Sequence, residues 1–258
     1  MYAHRSASNC WGIGVSSPFD DFAWFYDRHW AAGFAEWQLT AIERLLIPFV
    51  TPGSHLLDLC CGTGALARRL VDRGYAVTGV DSSEGMLRMA RHNVSEANLV
   101  HADASQFAID RRVDGALSVF DSLNNILEPE ALRSAFQCVH NALQPGGRFV
   151  FDVNTSTAYG ARWDQTHCEV HADHAFFLRG GFDRQKRIGT TKVTMFRLME
   201  RWERSDVEIL QRPWDVEEVE PLLRGAGFNE VSFWRAIEDL EMSGHYGIGR
   251  AYFRGRKE

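Results

Sequence analysis

Residues Ser54 to Gly64, Ser-His-Leu-Leu-Asp-Leu-Cys-Cys-Gly-Thr-Gly, set the narrowest limits on what this chain can fold into. A short apolar run is broken by glycines, and good helix formers follow from Ala65 to Arg73. That order predicts a strand, a tight turn and a helix, the arrangement by which an α/β sheet presents backbone N–H groups to a small ligand. Asp58 restricts the ligand. A carboxylate at the mouth of the turn disfavours a pyrophosphate and favours a cationic group.

The rest of the chain repeats the strand and helix alternation. Tyr75 to Val80, Asn98 to His101, Val113 to Val119 and Arg148 to Val153 read as strands two to five, with helices at Glu84 to Asn93 and Glu130 to Leu143. Ser82 is placed to cap the first of these helices. Such an alternation predicts a parallel sheet with right-handed crossovers, whose ligands lie beyond the carboxyl ends of the strands. Asp58, Asp81, Asp103, Asp121 and Asn154 fall at the five successive strand ends, so distant positions converge on one cleft.

The segments Leu56 to Gly64, Val80-Asp81-Ser82, Asp103-Ala104, Phe120 to Asn124 and Leu143 to Gly147 occur in the order and spacing of class I S-adenosylmethionine-dependent methyltransferases of the small-molecule type, which this chain resembles across residues 54 to 153. The resemblance implies a Rossmann-like, doubly wound, seven-stranded sheet, mostly parallel with an antiparallel last strand. It implies S-adenosylmethionine as cofactor, and that cofactor carries both an ammonium and a sulfonium. By this likeness Asp58 holds the ammonium, Cys60, Gly62 and Gly64 let the backbone approach the methionyl part, and Asp81 with Ser82 meets the ribose. Asp103 and Ala104 read the adenine, Met86 packs on it or in the core, and Phe120 with Asp121 closes the methionyl side.

Cys60 departs from the family pattern, where glycine is common, so an ordinary negative φ is expected there. A nucleophilic role for Cys60 or Cys61 is set aside, because methyl transfer needs no covalent intermediate. Tyr26, Asn124 and Asn154 are the acceptor-side candidates. Tyr26 lies in a segment, Phe25-Tyr26-Asp27, that is similar to the N-terminal helix closing over the cofactor in many small-molecule members; an ordinary amphipathic aromatic is the other reading.

Two helices, Phe19 to Trp30 and Ala35 to Phe49, are expected to cover one sheet edge, with Ser17 as cap and Pro18 in the first turn. Residues 1–17 read as a flexible tail, and 18–258 as one methyltransferase domain. Residues 160–212 break the rhythm with an antiparallel β insertion, read as Phe176 to Arg179, a Gly180-Gly181 turn, then Thr190 to Glu203 and Val207 to Arg212. It lies after strand five, where it would serve as a lid or a wall for the acceptor. Asp215 and Glu218 form a capping-box pattern, and Pro221 either kinks the following helix or starts it. Glu230 to Trp234 and Arg250 to Arg256 complete the sheet.

The 258 residues carry a net charge of -6 with scattered basic residues, which weighs against a nucleic-acid substrate. No run of about 18 apolar residues suits a membrane helix, and the N-terminus lacks a signal-peptide core, so a cytoplasmic protein is expected, as monomer or homodimer. Five cysteines do not form a disulfide pattern. His167, His171 and His174, with Cys168 and Asp173, make a metal-like cluster, yet their segment reads as extended or irregular and solvated, and no metal is expected. One of them, or His245, could act as a general base at the mouth. Trp163, Trp202 and Trp214 read as packing residues. The functional reading is methyl transfer to an N or O atom of a small molecule. A nicotinamide-dependent oxidoreductase and a non-catalytic S-adenosylmethionine-binding protein are the alternatives.

Overall fold

Alternating side chains in the first strand explain how the sheet is covered on both faces. In β1 (His55–Leu59), Leu57 and Leu59 enter one core layer while Leu56 enters the other, so the period of two sends each to opposite sides. The computed structural model describes residues 17–258, so most of the expected tail lies outside the described residues. Beside β1 lie β2 (Ala76–Asp81) and β3 (Asn98–His101) on one flank, and β4 (Val113–Ser118) and β5 (Leu143–Asn154) on the other. The sheet ends with β11 (Arg250–Arg256) and β10 (Asn229–Arg235), giving the order β3-β2-β1-β4-β5-β11-β10. Only β11 runs antiparallel to both of its neighbours, so the expected mixed seven-stranded sheet is observed.

Helices α3 (Ala65–Asp72), α4 (Glu84–Asn93) and α5 (Pro129–Ala142) cross between the strands. Each buries residues at helical spacing; in α5 these are Leu132, Ala135, Phe136 and Val139. Helix α7 (Val216–Gly225) covers the α5 face, opened by the expected Asp215/Glu218 capping box. It starts at Val216 and keeps Pro221 inside, which excludes a start at the proline. The cap of α4 is Ser83, not Ser82: its Oγ accepts the Met86 N–H at 3.0 Å, while Ser82 stays exposed.

The N-terminal segment is one continuous helical run rather than two separated helices. Helix α1 (Pro18–Tyr26), capped by Ser17, passes through a π-helical stretch at Asp27–Ala31 into α2 (Ala32–Leu45). Nothing in Asp-Arg-His-Trp-Ala breaks a helix, so the chain absorbs an extra residue by widening one turn.

After α6 (Ser156–Arg162), the insertion forms a second, four-stranded antiparallel sheet of β6 (Thr166–Val170), β7 (His174–Asp183), β8 (Ile188–Leu198) and β9 (Trp202–Gln211). Gly180-Gly181 lies within β7 rather than in a turn. Gly180 pairs with Thr191, donates its N–H to Gln165 O, and leaves no room for a Cβ against the Trp163 carbonyl. The glycine serves close approach of two backbones. One face of this sheet, through Phe176, Val193, Met195 and Ile209, shares a core with Phe22, Ala23 and Phe25 of α1 and with Met86 of α4.

Candidate active site

Strands β1 and β4 are neighbours although they are not consecutive, so the crevice opens at their carboxyl ends, where the strand order reverses. Asp58 projects there from β1. It is 2% exposed, its Oδ2 has no hydrogen-bond partner, and burial with the nearby Asp81 charge pushes its carboxyl up to about 7. A buried carboxylate without a donor is costly to leave so, and it matches a cationic ligand group that brings its own donors.

The glycine turn is built around Asp81. Its Oδ2 accepts the Gly62 N–H at 2.8 Å and its Oδ1 the Ser83 N–H at 2.9 Å, which ties β1's turn to the start of α4. Burial nevertheless raises the Asp81 carboxyl above its usual range. Each oxygen keeps a lone pair for a hydroxyl. Gly64, at φ +78°, is required by packing, since a Cβ there would meet Val94 and Ala90. Gly62, at φ +55°, lies under Tyr26, whose ring carbon is 3.8 Å from where a Cβ would stand.

Cys60 corrects an expectation. Its φ is +60°, so a cysteine occupies the left-handed conformation that glycine would take. The side chain compensates by packing against the β1 and α5 core layer. Cys61 fills the space over Gly79, whose missing Cβ would lie 2.8 Å from the sulfur. Burial and the surrounding acids raise both thiols well above their ordinary range, so neither is poised as a nucleophile.

Tyr26 is held over this turn, and burial first, then Asp121, Asp81 and Asp58, raises its phenol. Its hydroxyl therefore stays protonated among three acids from three strand ends. Met86 is buried with α1 and the inserted sheet, which fits the core reading. Asp103 lies in the exposed loop after β3, its Oδ1 taken by the Ser105 N–H and hydroxyl, with Ala104 beside it half-buried.

On the other side of the crevice, Phe120 (φ +68°) and Asp121 (φ +48°) are consecutive left-handed residues after β4. Such strain costs about 1–3 kcal/mol per residue and persists only where neighbours impose it. Here the neighbours form a buried polar network that the sequence did not announce. Arg250 is 4% exposed and donates to Asp121 Oδ1 at 2.7 Å, to Asp152 Oδ2 and to the Tyr246 carbonyl. Asp152 also accepts from Gln38 and from the Asp121 N–H, and Gln211 at the end of β9 donates to Asp121 Oδ2 at 3.0 Å. The available signals were an acid inside the apolar run Phe149 to Val153 and a glutamine on the apolar face of α2.

Asn124 belongs to this framework and does not face an acceptor. It is fully buried, its amide N–H groups go to the carbonyls of Asn154 and Arg212, and its Oδ1 accepts the Asn154 N–H at 2.9 Å. It clamps β5 to the segment after β9. Asn154 keeps more freedom: Oδ1 accepts from Arg162, while Nδ2 is buried without a partner. The buried Tyr159 hydroxyl nearby is also unpartnered and feels the Asp121 charge.

Residues 56–147 match the family model described as "Methyltransferase domain". That match, the methyltransferase relatives and the fold together support reading the chain as a class I S-adenosylmethionine-dependent methyltransferase. It is a methyltransferase whose cofactor is S-adenosylmethionine, and the unpartnered Asp58 beside the glycine turn fits that cofactor's ammonium. The chain is 28% identical over 215 residues to "Putative methyltransferase YqeM" of Bacillus subtilis (strain 168), covering 79% of this chain and 84% of the relative. In fold it is similar to an S-adenosylmethionine-dependent methyltransferase from Clostridium acetobutylicum ATCC 824, with TM-score 0.73 and 23% identity over 93% of this chain and 99% of that one. It is also similar to the sugar N-methyltransferase KedS8 from Streptoalloteichus sp ATCC 53650, with TM-score 0.73 and 19% identity over 100% of both chains.

Among the remaining candidates of this methyltransferase, Trp214 is fully buried with its Nε1 donating to the Ile126 carbonyl at 3.1 Å, Trp163 lies against Tyr159, and Trp202 is exposed. His245 is in an exposed turn beside Tyr246. His167, His171 and His174 are not solvated loop residues as a group: they lie on or beside β6 and β7, and His174 is fully buried. No described helix is long and apolar enough to cross a membrane.

Proposed function

We propose that this methyltransferase transfers the methyl group to a nitrogen or oxygen atom of a small molecule by in-line displacement. The observation that carries the cofactor end of this reading is the buried, unpartnered Asp58 carboxylate beside the Gly62 and Gly64 turn. Asp58 takes the ammonium, Gly62 and Gly64 admit the methionyl chain, and Asp81 with Ser82 accepts the ribose. Asp103 and Ala104 meet the adenine edge, and Phe120 with Asp121 bounds the methionyl side. When bound, S-adenosylmethionine supplies an already activated sulfonium methyl. The chain's own contribution is to hold the acceptor atom about 3 to 3.5 Å from its target in a water-poor space.

Tyr26 and Asn154 are the acceptor-side residues of this reading, joined by Tyr159. Tyr26 covers the turn with a hydroxyl that remains a donor, and Asn154 Nδ2 and the Tyr159 hydroxyl are buried polar atoms awaiting partners. The inserted sheet and α1 form a lid of fixed, aromatic composition, which suits a small polar acceptor better than a polymer. The net charge of -6 points away from nucleic acid. A sugar N-methyltransferase that matches over the full chain supports an acceptor of this size and polarity. Cytoplasmic residence, as monomer or homodimer, belongs to the same reading.

Calorimetric titration with S-adenosylmethionine, S-adenosylhomocysteine and NADH tests the cofactor end. Saturable binding of the first two is expected, with Asp81→Ala at least tenfold weaker, because a charged hydrogen bond contributes about 1.5–3 kcal/mol. Equal affinity in Asp81→Ala would remove Asp81 from the site. For the acceptor end, formation of S-adenosylhomocysteine is followed across amines and alcohols of sugar size. Activity confined to carbon nucleophiles or polymers would overturn that half.

A further inference from the structure

Three histidines from two parts of the fold meet where the N-terminal helical run packs on the inserted sheet. His29, on the π-helical stretch after α1, His171, in the β6–β7 turn, and His174, at the start of β7, each offer one ring nitrogen within 4.8 Å of the others. We propose that they form a binding site for an imidazole-preferring divalent cation of the zinc type, which staples the helix carrying Tyr26 to the inserted sheet. The site is independent of how the crevice binds its cofactor.

The carboxylates around the cluster decide which nitrogens are available. His174 is fully buried, and its Nδ1 lies 2.6 Å from Asp173 Oδ1, so that nitrogen carries the proton and Nε2 is left with a lone pair. His29 Nδ1 lies 3.4 Å from Glu169 Oε2, which can accept a hydrogen bond from that nitrogen once Nε2 is on a cation. The two Nε2 atoms lie 2.8 Å apart in a hydrogen bond, His174 accepting and His29 donating, and a cation between them would replace that proton. His171 Nε2 is 3.0 Å from the same Glu169 oxygen, which leaves its Nδ1 as the third lone pair. Each ring has a nitrogen near a carboxylate, the pattern by which outer carboxylates orient metal-bound histidines, and the His171 ring, stacked on His174 with planes 8° apart, must turn for its Nδ1 to reach the same ion.

The dimensions and charge are suitable. Bonds of about 2.0–2.1 Å from tetrahedral zinc to nitrogen place two ligand atoms about 3.4 Å apart, so the His29 and His174 nitrogens, 2.8 Å apart, must separate by about 0.6 Å. Glu169 and Asp173 offset the positive charge, and Glu169 is near enough to become a fourth ligand after a rotamer change. The π-helical turn brings His29 inward, to 10% side-chain exposure. Such turns often mark functional positions. His29 is three residues beyond Tyr26, so a cation here would fix the height of that ring above Gly62.

The test uses the full-length protein, freed of metal with EDTA and titrated with zinc chloride against a chromophoric competing chelator. One equivalent is expected to bind at micromolar concentration or tighter. His171→Asn, at an exposed position, should weaken binding at least a hundredfold with an unchanged circular dichroism spectrum. Asp173→Asn, which alters only an orienting carboxylate, should weaken it 10- to 100-fold. Zinc should also raise the melting temperature of the wild type and leave that of His171→Asn unmoved. Binding no tighter than 100 micromolar in the wild type, equal affinity in His171→Asn, or equal affinity for magnesium would each overturn the proposal.

Discussion

The two sides of the crevice hold acids in opposite states. On the β1 and β2 side, Asp58 is buried and Asp81 half-buried, neither pairs with a cationic side chain among the described residues, and both carboxyls are raised. On the β4 and β5 side, Asp121 and Asp152 share Arg250, and Gln38 and Gln211 take up further oxygens. One pair has no cationic partner among the described residues, and the other shares Arg250. Acids that look alike in the sequence thus differ in surroundings: Asp121 and Asp152 share a cation from the chain, and Asp58 and Asp81 do not. The framework side also carries the strain at Phe120 and Asp121, which the Arg250 network holds in place.

The comparison breaks most sharply at Arg250. Arg250→Met leaves the buried Asp152 and the half-buried Asp121 without their cation, and a loss of about 3–5 kcal/mol is expected in urea unfolding. Adding Asp152→Asn should recover part of it. If Arg250→Met alone cost less than about 1 kcal/mol, the framework role would fail, and Arg250 would be free for the ligand.

The opposite outcome is expected at Asp58. Asp58→Asn removes an unpartnered buried acid, so stability should hold or rise while S-adenosylmethionine affinity falls at least tenfold, about 1.4 kcal/mol. The pH dependence carries its own sign. A carboxyl raised from 3.8 to about 7 binds more protons folded than unfolded between those values. Its contribution to stability therefore declines as pH rises from about 4 to about 7, and is level above. A bound ammonium favours the ionised form, so wild-type affinity should rise with pH across the same window and plateau above it. A flat affinity profile from pH 5 to 8 in the wild type would remove Asp58 from the ligand.

This contrast also marks how far the sequence was readable. The alternation of strands and helices and the glycine turn follow from local patterns, because each signal depends on residues a few positions apart, while the antiparallel last strand comes from the family resemblance. The partners of Arg250 do not: Asp121 and Asp152 are 129 and 98 positions away, and only the antiparallel pairing of β11 with β5 brings them together. Asn124 was misread for the same reason, since an asparagine after strand four looks the same whether it faces a ligand or clamps Asn154 and Arg212. His29 was missed because its partners are on a sheet 142 and 145 positions later, and Gly180 looked like a turn until Trp163 lay against it.

The smallest effect is expected at Cys60, where the ligand side carries its own strain. A side chain at φ +60° costs about 1–2 kcal/mol relative to glycine, while the partly buried thiol returns about 1 kcal/mol through packing on the core layer. Cys60→Gly should therefore raise the melting temperature by about 2 °C, consistent with a net gain below 1 kcal/mol in a domain of this size. Affinity for S-adenosylmethionine should change less than threefold, since no polar group is lost. Gly62→Ala is the converse: at φ +55° a new methyl group brings backbone strain, while the Tyr26 ring at 3.8 Å would meet it in ordinary contact. If Cys60→Gly lowered stability by more than 1 kcal/mol, packing rather than backbone conformation would govern the turn, and the strain would belong to the framework side alone.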